Sequence, residues 1–459
     1  MIRITWLKPE ERLEAEFQQL TEEGVDPTLL RRRWEELRTG GDDPVRLRPE
    51  AERLLDECRA LSDRHDAAGA AQAEPSDLET ILGAADLSPA PASAAPRPFP
   101  ATVLDDRIGG GWIGRIAGCL LGKPMEGVPR EGIAAILQSS GQWPPVAYIT
   151  AQGVPEVIAA RFPFNRTARQ HSLRETIVCM PEDDDINYTM LALSVVETAG
   201  EDFTTDDVAT AWLRSLPALR VYTAERVAYQ NLLDYKIPPE TARFRNPYRE
   251  WIGAQIRADL FGWIAPGDPR RAAALAWRDA RLSHVKNGIY GEMFAAAMVA
   301  AACVSADVEE ITAAGLRVLP PRSRLAEAIR FARALPEEVP DYDQALDRVY
   351  ARYGHYHWVH TVNNAVIVTL ALLYARGDYE TGIGFAVMGG WDTDCNGATV
   401  GSILGTMRGR RGIPERWVSP LADRVRSSLQ GFDNSSIEQL IRRTIRCVSP
   451  RYLDTAVAR

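Results

Sequence analysis

A chain of 459 residues is long enough for a sizeable core with an appendage, and 46% hydrophobic against 25% charged residues excludes intrinsic disorder. A net charge of −9 gives no general attraction for phosphate backbones, so no nucleic-acid partner is expected; the basic runs Arg31–Arg33 and Arg408–Arg411 read as solvated faces. Six cysteines, at 58, 119, 179, 303, 395 and 447, form no C-x-x-C pair, which argues against a disulfide framework and for a reducing compartment.

The first residues, MIRITWLKPEERLEAEF, lack an apolar h-region, so no signal peptide is expected. Residues 1–83 are charged and helical in pattern. Leu29, Leu30, Trp34 and Leu37 share a helical spacing, as do Leu54, Leu55 and Leu61, and Pro27 and Pro49 mark expected helix starts. Residues 84–102 carry Pro89, Pro91, Pro96, Pro98 and Pro100, a composition suited to an extended linker. Residues 103–459 then form the expected catalytic domain. In it, Ala- and Leu-rich helical stretches (Ile186–Glu197, Asp206–Leu213, Glu292–Val304, Leu325–Leu335, Asn363–Leu373, Thr399–Met407) alternate with polar loops. Strand-like alternation is rare, so the expected fold class is all-α, a multi-helix domain with a small helical N-terminal extension. The longest apolar runs, Met293–Val304 and Ala365–Ala375, fall short of the ~20 residues of a membrane span. A cytoplasmic protein without membrane contact is expected.

Four segments carry chemical information. In the first, Asp105–Glu126, a formal G-x-G-x-x-G at Gly109, Gly111 and Gly114 follows the Pro-rich stretch, where a dinucleotide fold needs a strand, so that reading is rejected. Gly110, Gly114, Gly118 and Gly122 recur every four residues. On a helix they line one face and admit a second backbone, and Pro124 then ends the helix and leaves Glu126 in a loop. The second segment is Glu182-Asp183-Asp184-Asp185 ahead of an apolar helix. Capping explains part of it, but four adjacent carboxylates repel one another, and divalent cations with a taste for oxygen relieve that repulsion. In the third, Ser283–Glu292, His284 sits with Asn287, Gly288, Tyr290 and Gly291 at a helix start, a place where ligands bind. The fourth, Gly390-Trp391-Asp392-Thr393-Asp394-Cys395, puts two acids in a Gly-bounded turn, where they either converge on a metal or cap the next helix. Between the third and fourth, His355, His357 and His360 form the densest histidine cluster. With no cysteine near in sequence, zinc gives way to a cleft whose rings hold a base or sugar.

Taken in this order, the four segments resemble the ADP-ribosylglycohydrolase family over about Leu104–Cys447. The resemblance implies a compact all-α protein with two Mg²⁺ or Mn²⁺ ions at its centre. It assigns Asp183 and Asp184 to the first acidic pair, Glu182 to the place of a preceding Thr, Asp392 and Asp394 to the second motif, and Glu126 to a catalytic acid of some members. Asp185, Trp391, Cys395 and Lys123 depart from the family pattern; Lys123 stands where an acid is common. These departures surround the metals and bear on the substrate.

The chemistry so implied is hydrolysis at ribose C1, through an oxocarbenium-like state. The expected metal residues are Glu182, Asp183, Asp184, Asp392, Asp394 and Cys395. The thiol of Cys395 suits a hard cation poorly, so its carbonyl or the Thr393 hydroxyl is the better donor. Glu126 or Asp185 is the expected base or water-orienting group. Substrate contacts are expected from His284, Asn287, Gly288, Tyr290, Gly291, Trp391, Thr393 and His357. Trp391 either stacks on a base or packs in the core. The expected substrate is an ADP-ribosylated protein; the alternatives are a small-molecule riboside, or ADP-ribose bound without turnover.

Overall fold

The computed structural model describes residues 4–41, 43–85, 98–165 and 168–454. They are helices joined by loops, and among the described residues the only β pairing is isolated bridges such as Met180 with Val425. The all-α expectation holds. Among the same residues no helix is long and apolar enough to cross a membrane.

Two helices form the middle of the core. Lys286–Ala302 and Thr361–Ala375 are apolar on every face, and a helix of that kind is stable only when surrounded by others. Both begin before the expected Glu292 and Asn363. Their polar first turns carry no apolar period, but they find buried partners: Lys286 Nζ lies 2.6 Å from Asp66, and Asn287 Nδ2 donates to Glu250 at 2.9 Å.

The N-terminal helices Pro9–Glu22, Thr28–Arg38 and Pro44–His65 enclose a small core of their own, built from Leu13, Phe17, Trp34, Leu54, Leu55 and Cys58. The buried residues of that core end at Cys58, whereas Ile81 and Leu82 pack into the main core. Pro27 does precede a helix, but Pro49 lies inside one. The start is set earlier, by Pro44 in the first turn and by Asp43, whose side chain accepts the Val45 N–H. Of the expected linker, residues 86–97 lie outside the described residues. Phe99 is tied at the near end of the main domain, its N–H donating to Tyr452 O at 2.8 Å, and Thr102 already belongs to the helix Ala101–Gly122.

The extension is keyed to the body by buried charge. Glu16 and Glu23 meet Arg249 at 2.9 and 2.8 Å, and Glu74 meets Arg324 at 2.8 Å. Burial alone raises the Glu23 carboxyl. Arg249, Lys286 and Arg324 outweigh it and hold the group well below the usual carboxylate range.

The contact that positions the functional site is between the helices Ala101–Gly122 and Thr393–Arg408. The face of Gly110, Gly114, Gly118 and Gly122 meets a matching run on the second helix. A Cβ at Gly110 would strike the Gly405 carbonyl, one at Gly114 that of Gly401, one at Gly118 that of Gly397, and one at Gly122 that of Thr393. The backbones therefore touch without side chains between them, and the helices run in opposite directions. Gly114→Ala is expected to lose about 1–3 kcal/mol of stability by overpacking, against the ~1 kcal/mol that alanine gains in a free helix. Chemical denaturation checks this, and a stabilised variant would deny the backbone contact.

Candidate metal centre

Because the two glycine helices are antiparallel, the C-terminal end of one lies against the N-terminal end of the other. The Thr393 hydroxyl donates to Gly122 O at 2.8 Å and fastens the junction. From Gly122 a 3-10 turn over Lys123–Met125 carries the chain to Glu126. Asp392 stands at the N-cap of Thr393–Arg408 and makes no capping bond with its side chain, and Asp394 follows inside the first turn. A third helix, Asp184–Ala199, brings its own N-terminus to the same place. Asp183 caps it by accepting the Asp185 N–H at 3.0 Å. Two helix N-termini thus aim partial positive charge at one cluster of acids.

Donor atoms of Glu126, Asp392 and Asp394 lie within 4.8 Å of one another; so do those of Cys119, Asp183 and Asp185, and those of Asp185, Asp394 and Cys395. Asp184 lines the adjoining cavity. Any of the three groups could hold a metal ion. The electrostatics fit a cation. The charge of Asp394, then burial, pushes Glu126 up to about 8. Burial, then Asp394, raises Asp392 well above the usual range, and burial, then Asp183, does the same for Asp185. Burial, then Asp183 and Asp185, raises Asp184. Carboxyls that resist ionising because of one another are relieved by a divalent ion, and the hard oxygen donors suit magnesium, manganese or calcium.

Beneath the acids lies Arg115, fully buried. It donates to Asp259 at 2.7 Å, to the Asp185 carboxylate at 3.3 Å and to the Asp185 carbonyl at 3.2 Å. Lys123 pairs with Asp183. Asn165 donates to Glu126 at 2.6 Å, and Asn364 accepts the Asp392 N–H at 3.2 Å. Sequence reading missed Arg115, Asp259, Asn165 and Cys119. Only Arg115 had a signal, as a lone charge in the apolar run Ile108–Leu121.

Several expected residues stand apart from the acids or, like Cys395, lie among them with other engagements. Glu182 is held at the mouth by Asn187 and Ser428 at 2.9 Å each and by Arg220 at 2.9 Å, and belongs to none of the three donor groups. The Cys395 thiol is buried and held protonated by that burial, and its carbonyl accepts the Thr399 hydroxyl at 3.0 Å. Trp391, at φ +57°, stacks on Tyr350 with ring centres 4.4 Å apart. In the segment His284, Asn287, Gly288, Tyr290 and Gly291, Asn287 bonds Glu250 and the glycines pack within the main domain, whereas His284 and Tyr290 face the extension. His284 borders a separate cavity of about 1190 Å³ there, Tyr290 donates to Pro75 O, Gly288 admits the Arg249 carbonyl and Gly291 packs on Thr361. His357 stacks on Trp251 at 4.1 Å, and its N–H donates to Glu22. None of these six lines the cavity beside the acids, and among the described residues no candidate metal group contains a histidine.

Asp183 and Asp184 border a cavity of about 590 Å³ whose lining also includes Lys123, Glu182, Tyr222 and the arginines 220, 424 and 426. Arg220 is paired with Glu182 and Arg426 with Asp433, whereas Arg424 has only a 3.4 Å bond to Val178 O.

A family model described as ADP-ribosylglycohydrolase matches residues 100–450. No curated protein matches the chain. A solved structure titled "ADP-ribosylglycohydrolase-related protein complex" is 19% identical, with a TM-score of 0.48, over 77% of this chain and 100% of that one.

Arg115→Met is expected to cost about 3–5 kcal/mol in chemical denaturation, because it strands the buried Asp185 and Asp259 carboxylates. A change below about 1 kcal/mol would mean that the guanidinium does not neutralise them.

Proposed function

The chain belongs to the ADP-ribosylglycohydrolase family, a family of hydrolases that act on ADP-ribosylated substrates, and from that premise we propose that its acid centre binds divalent cations, magnesium or manganese, and hydrolyses the glycosidic bond between ribose C1 and a modified protein side chain. The observation that carries this reading is the convergence of Glu126, Asp183, Asp185, Asp392 and Asp394, three stretches of chain far apart in sequence, into groups of donors within 4.8 Å.

In this reading Asp392 and Asp394 hold a metal together with Glu126, and Asp184 faces the ribose from the cavity wall. A bound divalent ion polarises a hydroxyl or carbonyl oxygen and lowers the pKa of water. Glu126, steadied by Asn165, takes a proton from the attacking water. As the C1–N or C1–O bond lengthens, positive charge develops on the ribose and the surrounding carboxylates stabilise it. The water oxygen bonds to C1, the bonding pair of the old bond leaves with the side chain, and the side chain is reprotonated. Asp185, tied to Arg115, positions the first helix turn. At the mouth, Arg424, with Arg220 and Arg426 beside it, suits the diphosphate of an ADP-ribosyl group, and Tyr222 offers an aromatic face. That feature favours an ADP-ribosyl substrate over a free nucleoside.

Asp392→Ala is expected to weaken Mn²⁺ binding by about 100-fold or more in calorimetric titration while circular dichroism keeps the helical signal. Wild-type affinity in that variant would sink the metal assignment. Release of ADP-ribose from modified arginine or serine in protein, set against a nucleoside panel, tests the substrate. Arg424→Ala is expected to raise KM for the ADP-ribosyl substrate about 10-fold with little change in kcat. Faster turnover of nucleosides would reassign the substrate, and binding of ADP-ribose without turnover at saturating Mn²⁺ would reassign the protein as a binder.

A further inference from the structure

The donor groups of the centre are not equivalent. Glu126, Asp392 and Asp394 are all oxygen donors, and among the described residues none of them lies within ion-pair distance of a protein cation, although the Lys123 charge, paired with Asp183, also reaches Asp394 and Glu126. In the group Cys119, Asp183 and Asp185, each acid is already engaged, Asp183 by the Lys123 ammonium and Asp185 by the Arg115 guanidinium. The third member is a thiol, a soft donor that a hard cation passes over. The group Asp185, Asp394 and Cys395 has the same handicap, a thiol and an acid bound to Arg115.

Lys123 is not a surface lysine that has strayed in. It is the first residue after Gly122, whose backbone is pressed on Thr393 and Asp394, and it is followed by Pro124 within a 3-10 turn. Its side chain is 13% exposed. The fold therefore delivers one fixed positive charge to the Asp183 side of the centre. A divalent ion entering there has to displace that ammonium or sit beside it, and like charges at a few Å repel strongly in a buried site.

We propose that Lys123 acts as a built-in cation that takes the place of one metal, so that this chain binds a single divalent ion tightly, at Glu126, Asp392 and Asp394. The inference rests on the metal reading of the centre given above. It departs from the pair of ions that the family resemblance implies, and it makes Lys123 a determinant of metal stoichiometry. Removing the charge while keeping the side chain's length frees Asp183 and opens a second subsite.

The test is a Mn²⁺ titration of the full-length, chelator-treated protein, with bound ions counted by calorimetry and by electron paramagnetic resonance. The wild type is expected to bind one Mn²⁺ tightly, any second at least about 100-fold more weakly. Lys123→Met is expected to bind two with affinities within about 10-fold of each other, and the paired ions are expected to broaden the resonance. Two equally tight ions in the wild type overturn the inference and leave the metal reading intact, and this count decides even if the variant fails to fold. One ion in both proteins also overturns it, since Lys123 is then not what limits occupancy. No binding by the wild type sinks the metal reading itself, and the inference with it.

Discussion

Everything at the centre depends on how closely two helix backbones approach. Side chains normally keep helix axes 8–10 Å apart. Here glycine faces glycine along Ala101–Gly122 and Thr393–Arg408, and carbonyls fill the space that Cβ atoms would need. The register of that contact is fixed residue by residue, from Gly110 against Gly405 to Gly122 against Thr393. An error of one turn along the seam would carry Lys123 and Glu126 away from Asp392 and Asp394. A tight, unbranched seam is thus what allows residues 126 and 394 to share one site. Four glycines on a helix cost about 1 kcal/mol each in propensity, and the backbone contact offsets that cost.

The second constraint is electrostatic. Gathering carboxylates in a buried space is unfavourable unless something positive is gathered with them. The protein supplies three sources. Two helix N-termini contribute partial charges, through Asp183 at one and Asp392 at the other. Arg115 supplies a whole charge from below, and Lys123 another from the side. These do not suffice, since Glu126, Asp184, Asp185 and Asp392 all remain raised above their ordinary range. The deficit is spread over the whole cluster, although Arg115 lowers Asp185 and Lys123 lowers Asp184, Glu126 and Asp394. A centre of this kind invites a hard cation at its oxygen donors, and on the Asp183 side Lys123 already contributes one positive charge.

Much of this was legible in the sequence. The apolar runs located the core helices, the four-residue glycine period announced a backbone contact, and the clustered acids pointed to cations. The partner of the glycine face was also visible, as Gly397, Gly401 and Gly405 with the same period, but it takes the fold to pair two such runs. Several helix starts were missed where the first turn is polar, though that of Thr205–Ser215 was placed to within one residue. Thr393–Arg408 begins six residues before Thr399, so Asp394 and Cys395 are helical and not in a turn; the Cys395 carbonyl is thereby drawn into the helix and lost as a donor. Glu182 looked like its three neighbours in the chain. Asn187, five residues on, holds it together with Arg220 and Ser428, which are distant in sequence, and they turn it to the rim.

The segment around His284 shows why a helix start rich in small residues is ambiguous. Gly288 and Gly291 are small for the same reason as the glycines of the seam, to let another piece of the chain come close. Here that piece is the body's own Arg249 strand of loop on one side and Thr361 on the other. The recess they leave is lined by Arg249, Lys286 and Arg324, and it is the acids of the extension, Glu16, Glu23 and Glu74, that occupy it. Positive groups at a helix start do bind anions, but when an anion can be supplied by the same chain the site is closed by folding. Beside the acids, Arg424 on the rim of their cavity pairs with no carboxylate among the described residues and stays open to an anion. That distinction, between cations already matched within the chain and one still facing solvent beside the acids, separates the part of the molecule that holds its two cores together from the part proposed to take a substrate.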